Sequence, residues 1–193
     1  MRNVRMQRLR VKTNCPGRYA LVFVFVLMSG DAAYLLAANM RSFIESVRRK
    51  APVVYVGSVK EVRALQRTKF DIKAKAVVDI LAVMRAPGSN PREAVIEYSS
   101  FDDKTPMLAG GPQYQLRPGA IVIVFADSFK ATIPPGYLLQ GSRGELLERV
   151  EALRNALTKM SPDQLKLNEI TGEDRLVQIS LYDKLSAYLR AAK

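Results

Sequence analysis

The sequence offers few residues that could do covalent chemistry. Cys15 is its only cysteine, and it has no histidine and no tryptophan. Zinc sites built on Cys and His, Ser-His-Asp triads and Cys-His pairs all require those side chains, so each is excluded. Asp102 and Asp103 form an adjacent carboxylate pair before Lys104, in a stretch rich in Gly and Pro. They could begin a Ca²⁺ loop, but the alternating Asp/Asn ligands that such a loop needs do not follow. The pair is expected at a polar loop tip. Hydrolysis by two carboxylates requires a cleft and a set separation, and a Ser–Lys pair needs no histidine. No serine here stands in a recognisable nucleophile setting.

Binding chemistry has more candidates. Arg63, Arg67, Lys69, Lys73 and Lys75 cluster around an expected hairpin. A barrel that binds single strands would add exposed aromatic rings to that face. Phe70 alternates in phase with Ile72, and Tyr98 with Ile96 and Ala94, so both rings are expected in the core. A solvated basic face is the expectation, with no nucleic acid. Arg48, Arg49 and Lys50 end an expected helix, where the macrodipole alone favours cations.

The elements that must position these groups follow from pattern. Ser42–Glu45 is a capping box, and Met40, Phe43, Ile44 and Val47 share one face of a helix ending near Lys50. Val53–Leu65 is a strand with a bulge or strong bend at Gly57. Phe70–Met84 alternates apolar and charged residues over an unusual length, which implies a strand curving around a small barrel. Ala94–Ser99 is a third strand, and 101–115 a loop. Arg117-Pro118-Gly119 sets a type II turn before the apolar strand 120–126. Pro134-Pro135-Gly136 makes a turn into a short closing strand, Tyr137–Leu139. Ser142-Arg-Gly-Glu145 is a second capping box, with Leu146, Val150, Leu153 and Leu157 at helical spacing. Ser161-Pro162 restarts a short helix. Thr171 or Gly172 opens a last segment in which Ile179, Tyr182, Leu185 and Leu189 share a face, although its RLVQISL start also alternates like a strand. The two amphipathic helices are expected to pack on the barrel.

The N-terminal forty residues read differently. Six basic residues up to Arg18 precede an apolar run, Tyr19–Met28, and then small residues. That is the pattern of a secretory signal peptide, ending at 32 or alternatively at 38. The competing reading is a membrane anchor, which would place Asp31 inside the span at a cost of about 3 kcal/mol. Cys15 lies before the apolar run, which argues against a lipoprotein. The whole chain carries 30 Lys and Arg against 18 Asp and Glu, a formal +12. Removing six basic residues and one acidic residue with 1–32 leaves 24 against 17, or +7. A mature chain of this size, without cysteine, must rest on its hydrophobic core.

Two stretches also resemble a family. Ala51-PVVYVGSV-Val59, led in by a helix, is similar to the first strand of netrin-like domains, which include the tissue inhibitors of metalloproteinases and their bacterial relatives. Pro52 stands where an acidic residue is usual. Leu116-RPGAIVIVFAD-Asp127 resembles a later strand of that family, with Ile121 and Val122 in place of its Tyr-Leu pair. The likeness spans about residues 40–129. It implies an OB-type barrel and extracellular binding of macromolecules. The family's inhibitors bind a catalytic zinc through an N-terminal cysteine, and no cysteine follows residue 15, so that mechanism does not carry over.

The expected fold is therefore mainly β: a small closed OB-type barrel with a short N-terminal helix and a helical C-terminal extension. Residues 1–32 are the expected signal peptide, 33–141 the barrel and 142–193 the extension. The expected function is a non-catalytic binding module, secreted or periplasmic after cleavage. Its partner would be a protein or an anionic component of the cell envelope. No catalytic, metal or cofactor residue is assigned, no cofactor is expected, and the binding residues are left open. Membrane contact would come only through an uncleaved N-terminal segment. The alternatives are a hydrolase using carboxylates or a Ser–Lys pair, and a protease inhibitor acting through a loop.

Overall fold

The computed structural model describes residues 48–69, 71–88, 90–104 and 114–191. The expected signal peptide, Cys15, the capping box at Ser42 and Phe70 lie outside the described residues. Arg48–Lys50 are helical and lead directly into the sheet.

Six strands follow: β1 (Val53–Arg67), β2 (Ile72–Arg85), β3 (Glu93–Ser100), β4 (Ile121–Ala126), β5 (Lys130–Ile133) and β6 (Leu138–Gly141). Among the described residues three helices follow the strands: α1 (Arg143–Lys159), the short α2 (Pro162–Leu167) and α3 (Gly172–Ala191). The strands form one sheet in the order β5-β3-β2-β1-β4-β6. All neighbours are antiparallel except β3 and β5, which run parallel.

Apolar pattern explains which faces are buried. In β2 and β3 the apolar residues alternate: Ile72, Ala74, Ala76, Val78, Ala94, Ile96 and Tyr98 are buried inward, with Ile80 and Val83 partly buried beside them. In β1 and β4 the run is continuous, because both faces are covered. Val53, Tyr55, Val122 and Val124 join the core enclosed by the curled sheet. Val54, Val56, Ile123 and Phe125 instead pack against Leu146, Val150, Leu181, Tyr182, Leu185 and Leu189 of α1 and α3. The C-terminal helices thus pack on the β1–β4–β6 side of the sheet, as their amphipathic spacing implies. The RLVQISL stretch is helical throughout.

The expected closed barrel is not formed. The sheet is a curled half-barrel, open between its edge strands β5 and β6, and helix and strand are present in roughly equal amounts rather than mainly β. Two pairings account for the opening. β6 takes the second edge of β4, with Ile121 opposite Gly141 and Val124 opposite Leu138. β5, only four residues long, pairs with β3 instead. The expected closing strand therefore extends the sheet and does not seal it. β5 does not stand out in the sequence, since Lys130–Ile133 alternates polar and apolar residues over only four positions, the shortest run that reads as a strand.

The curl comes from the β1–β2 pair. Its register shifts at four places. Met84 and Leu81 are the extra residues on β2, and Lys60 and Leu65 on β1. Each such bulge bends its strand and raises the local twist. Bulges also take a residue out of the in–out alternation, which explains why Leu65 and Leu81 are exposed at 53% and 44%. The break expected at Gly57 is one of these shifts, and the strand continues through it.

Candidate functional site

The hairpin cations do not make one basic field. Arg67 grips the Asp102 carboxylate with both Nη atoms, at 2.9 and 2.5 Å. Arg63 pairs with Glu61, and Lys60 with Glu93 and Asp79. Lys73 and Lys75 project from β2 opposite Ser99 and Glu97 of β3. Acidic residues are thus interleaved with the cluster expected from sequence. Asp102 also accepts the Lys104 N–H at 3.0 Å, closing a tight turn. Its carboxylate is spent on tethering the loop to the end of β1.

The basic triplet has a structural use that its sequence did not disclose. Arg48 is buried at 8% exposure, its Nε donating to the Gly136 carbonyl at 2.7 Å. Its guanidinium sits 5.6 Å from the Phe125 ring centroid, a cation–π contact. Arg49 donates to the Asn168 carbonyl at 3.2 Å, at the end of α2. These two side chains fasten the helical turn to β4 and to the helices.

Surface depressions lined by described residues offer further candidates. One lies between α1 and α3, about 450 Å³, and holds Glu151, Arg154, Asp183 and Arg190. Arg154 Nε donates to Asp183 at 2.6 Å, and Arg190 pairs with Glu151. Its charges cancel in pairs that clamp the two helices. The second, on the outer face of β2, β3 and β5, mixes Lys75 and Lys130 with Glu97 around Val95.

The third has a different character. It is a groove of about 370 Å³ between the end of β2 and the first half of α3, lined by Met84, Arg85, Leu176, Val177, Leu181 and Lys184. Ser180 adds a hydroxyl, and none of the described lining residues is acidic. Leu176 is 70% exposed and Val177 53%, so the apolar rim faces solvent uncovered by any described residue.

Arg85 forms the base of that groove. Its Nη1 donates to the carbonyls of Arg49 and Ala51 at 2.9 and 3.0 Å, capping the helical turn that precedes β1. Its Nη2 reaches Gln178 Oε1 at 3.5 Å, the long limit of a hydrogen bond. Gln178 is 1% exposed, and its Nε2 has no partner among the described residues. Burial pulls the Arg85 pKa below its usual value, and the nearby Tyr182 opposes this. No carboxylate lies within ion-pair distance of Arg85 among the described residues.

Sequence pattern ends the second strand at Met84, just short of Arg85, and leaves Leu176 and Val177 in a segment that also alternates like a strand. A signal existed. Leu176 stands nine positions before Leu185, about two and a half turns, and so on the opposite side of α3 from the buried stripe. An isolated leucine there marks a surface that is apolar without being core.

Compared with known proteins, the chain matches no family model and no curated sequence.

Proposed function

We propose that this chain is an exported, non-catalytic binding module of the cell envelope or secreted space, built on an opened OB-type barrel of netrin-like kind. The basic, apolar N-terminal pattern supports export. The strand order supports the barrel reading. Followed around the curl, β1-β2-β3-β5-β4 is the cyclic order of OB barrels, cut between β4 and β5, with the parallel β3–β5 pair retained. The helical turn before Val53–Val59 and the turn at Gly119 before β4 fit the same reading.

One observation carries the function: the groove at Arg85, Leu176, Val177 and Lys184 leaves apolar surface and cations exposed together. Exposed apolar patches rimmed by polar groups mark interaction sites. The ligand class is a protein or an anionic envelope component. The test is retention of material from envelope extract on the immobilised full chain. A single component held stoichiometrically supports the module. Turnover of a hydrolase substrate panel, with nothing retained, overturns it.

A further inference from the structure

We propose that the occupant of this groove is a segment of a partner protein carrying an acidic side chain beside an aliphatic or aromatic one. The inference rests on the binding-module reading and names its partner chemistry.

Charge complementarity is the first ground. Arg85 is partly buried, and it is satisfied by two backbone carbonyls and one long contact to Gln178. Lys184 lines the same groove, and none of the described lining residues is acidic. A desolvated cation without a countercharge is costly, so an incoming carboxylate gains more here than at an open surface. Such a carboxylate would take Arg85 and Lys184 together.

Apolar shape is the second. Leu176 and Val177 offer exposed apolar surface beside Met84 and the buried Leu181. Interface energy concentrates where an apolar anchor fills a recess and a charge is satisfied at its edge. A bilayer suits this face less well. The groove is a recess, where a membrane surface is flat.

The experiment pans a random twelve-residue peptide library, displayed on phage, against the full chain and against its Lys184→Glu and Leu176→Ser variants. Both positions are exposed, so the variants leave the core intact. The expected result is enrichment of peptides that pair Asp or Glu with Leu, Ile or Phe. Synthesised singly, these should bind the parent chain at least tenfold more tightly than either variant, and weaken as salt is raised. Neutral or basic selected peptides, equal binding to the variants, or no enrichment would overturn the proposal. So would flotation of the parent chain, but not of Lys184→Glu, with phosphatidylglycerol–phosphatidylcholine vesicles, which would assign the face to lipid. An envelope component retained equally by parent and variants would remove the groove and leave the binding module standing.

Discussion

Gly57 sets how closely β2 can approach β1. A Cβ there would strike Val78 Cγ1 and come within 2.9 Å of the Asp79 carbonyl. The side-chain contact could yield by a rotamer change, but the backbone carbonyl is held in the sheet ladder. Gly57→Ala should therefore cost about 1–3 kcal/mol, as overpacking does. The cost would show as an earlier urea midpoint with unchanged slope, and an unshifted midpoint would contradict the close approach. Gly119 is needed for another reason. Its φ of +83°, with Ala120 N–H donating to the Arg117 carbonyl at 3.0 Å, makes the type II turn read from Arg-Pro-Gly. Tyr114 ties down the turn before β6. Its hydroxyl donates to the Pro134 carbonyl at 2.9 Å and accepts the Leu138 N–H at 3.2 Å. Tyr114→Phe leaves that N–H and carbonyl without the hydroxyl, and a loss of about 1–3 kcal/mol is expected in the same titration. Burial also raises the phenols of Tyr55, Tyr98 and Tyr114, Tyr98 to about 12. Unfolded tyrosine ionises near 10. Above that pH the folded chain binds more protons than the unfolded one, so stability should fall from about pH 10 through about 12. Alkaline melts that stay flat over that window would refute the buried phenols.

Among the elements, the helices declare themselves most fully in local sequence. Ser142 N–H donates to Glu145 Oε2 at 2.7 Å, and Glu145 N–H donates to Ser142 Oγ at 3.3 Å. The box anticipated from Ser-Arg-Gly-Glu is thus made. The Ser142 N–H and hydroxyl, both donating to it, hold the Glu145 carboxyl below its usual pKa. Ser161 and Gln164 repeat the arrangement at α2, and Thr171 with Asp174 at α3. Ser142→Ala should lower stability by about 1 kcal/mol, the usual value of an N-cap. Ser142→Asp, which can also accept the Glu145 N–H, should recover most of it. If both variants melt alike, the cap contributes nothing. Strands were less legible than helices. The ends of β2 and β3 were placed to within a residue or two by alternation. β5 was missed because its identity lies in its partner: four residues become a strand only where β3 supplies a parallel edge.

For the whole molecule, the sheet and the helices share a core. Val54, Val56, Ile123 and Phe125 are at 0% exposure, and Leu139 at 7%, beneath α1 and α3. Deleting residues 142–193 would open all five to water, with a penalty far above the roughly 5–15 kcal/mol that holds a domain folded. The truncated chain should aggregate or remain unfolded by circular dichroism. A soluble, cooperatively melting fragment would show that the helices are an accessory. The groove at Arg85 belongs to this scale too, because β2, the turn at 49–51 and α3 each contribute to it, and their residues are widely separated in the chain.

The chain by itself determined the caps, the turn at Gly119, the one-faced strands β2 and β3, the two-faced strands β1 and β4, and the absence of thiol and imidazole chemistry. Each of these is a property of neighbouring residues or of composition, so it can be read locally. Tertiary structure alone decided that the barrel stays open, because β4 has one free edge and β6 reaches it before β5 does. It also decided where the cations go. Arg48 is buried over Phe125, Arg67 is spent on Asp102, and Arg85 stands beside an apolar groove with no carboxylate of the described residues in ion-pair reach. A positive charge is visible in any sequence, but its countercharge is a matter of distance, and distance is set only when the strands and helices meet.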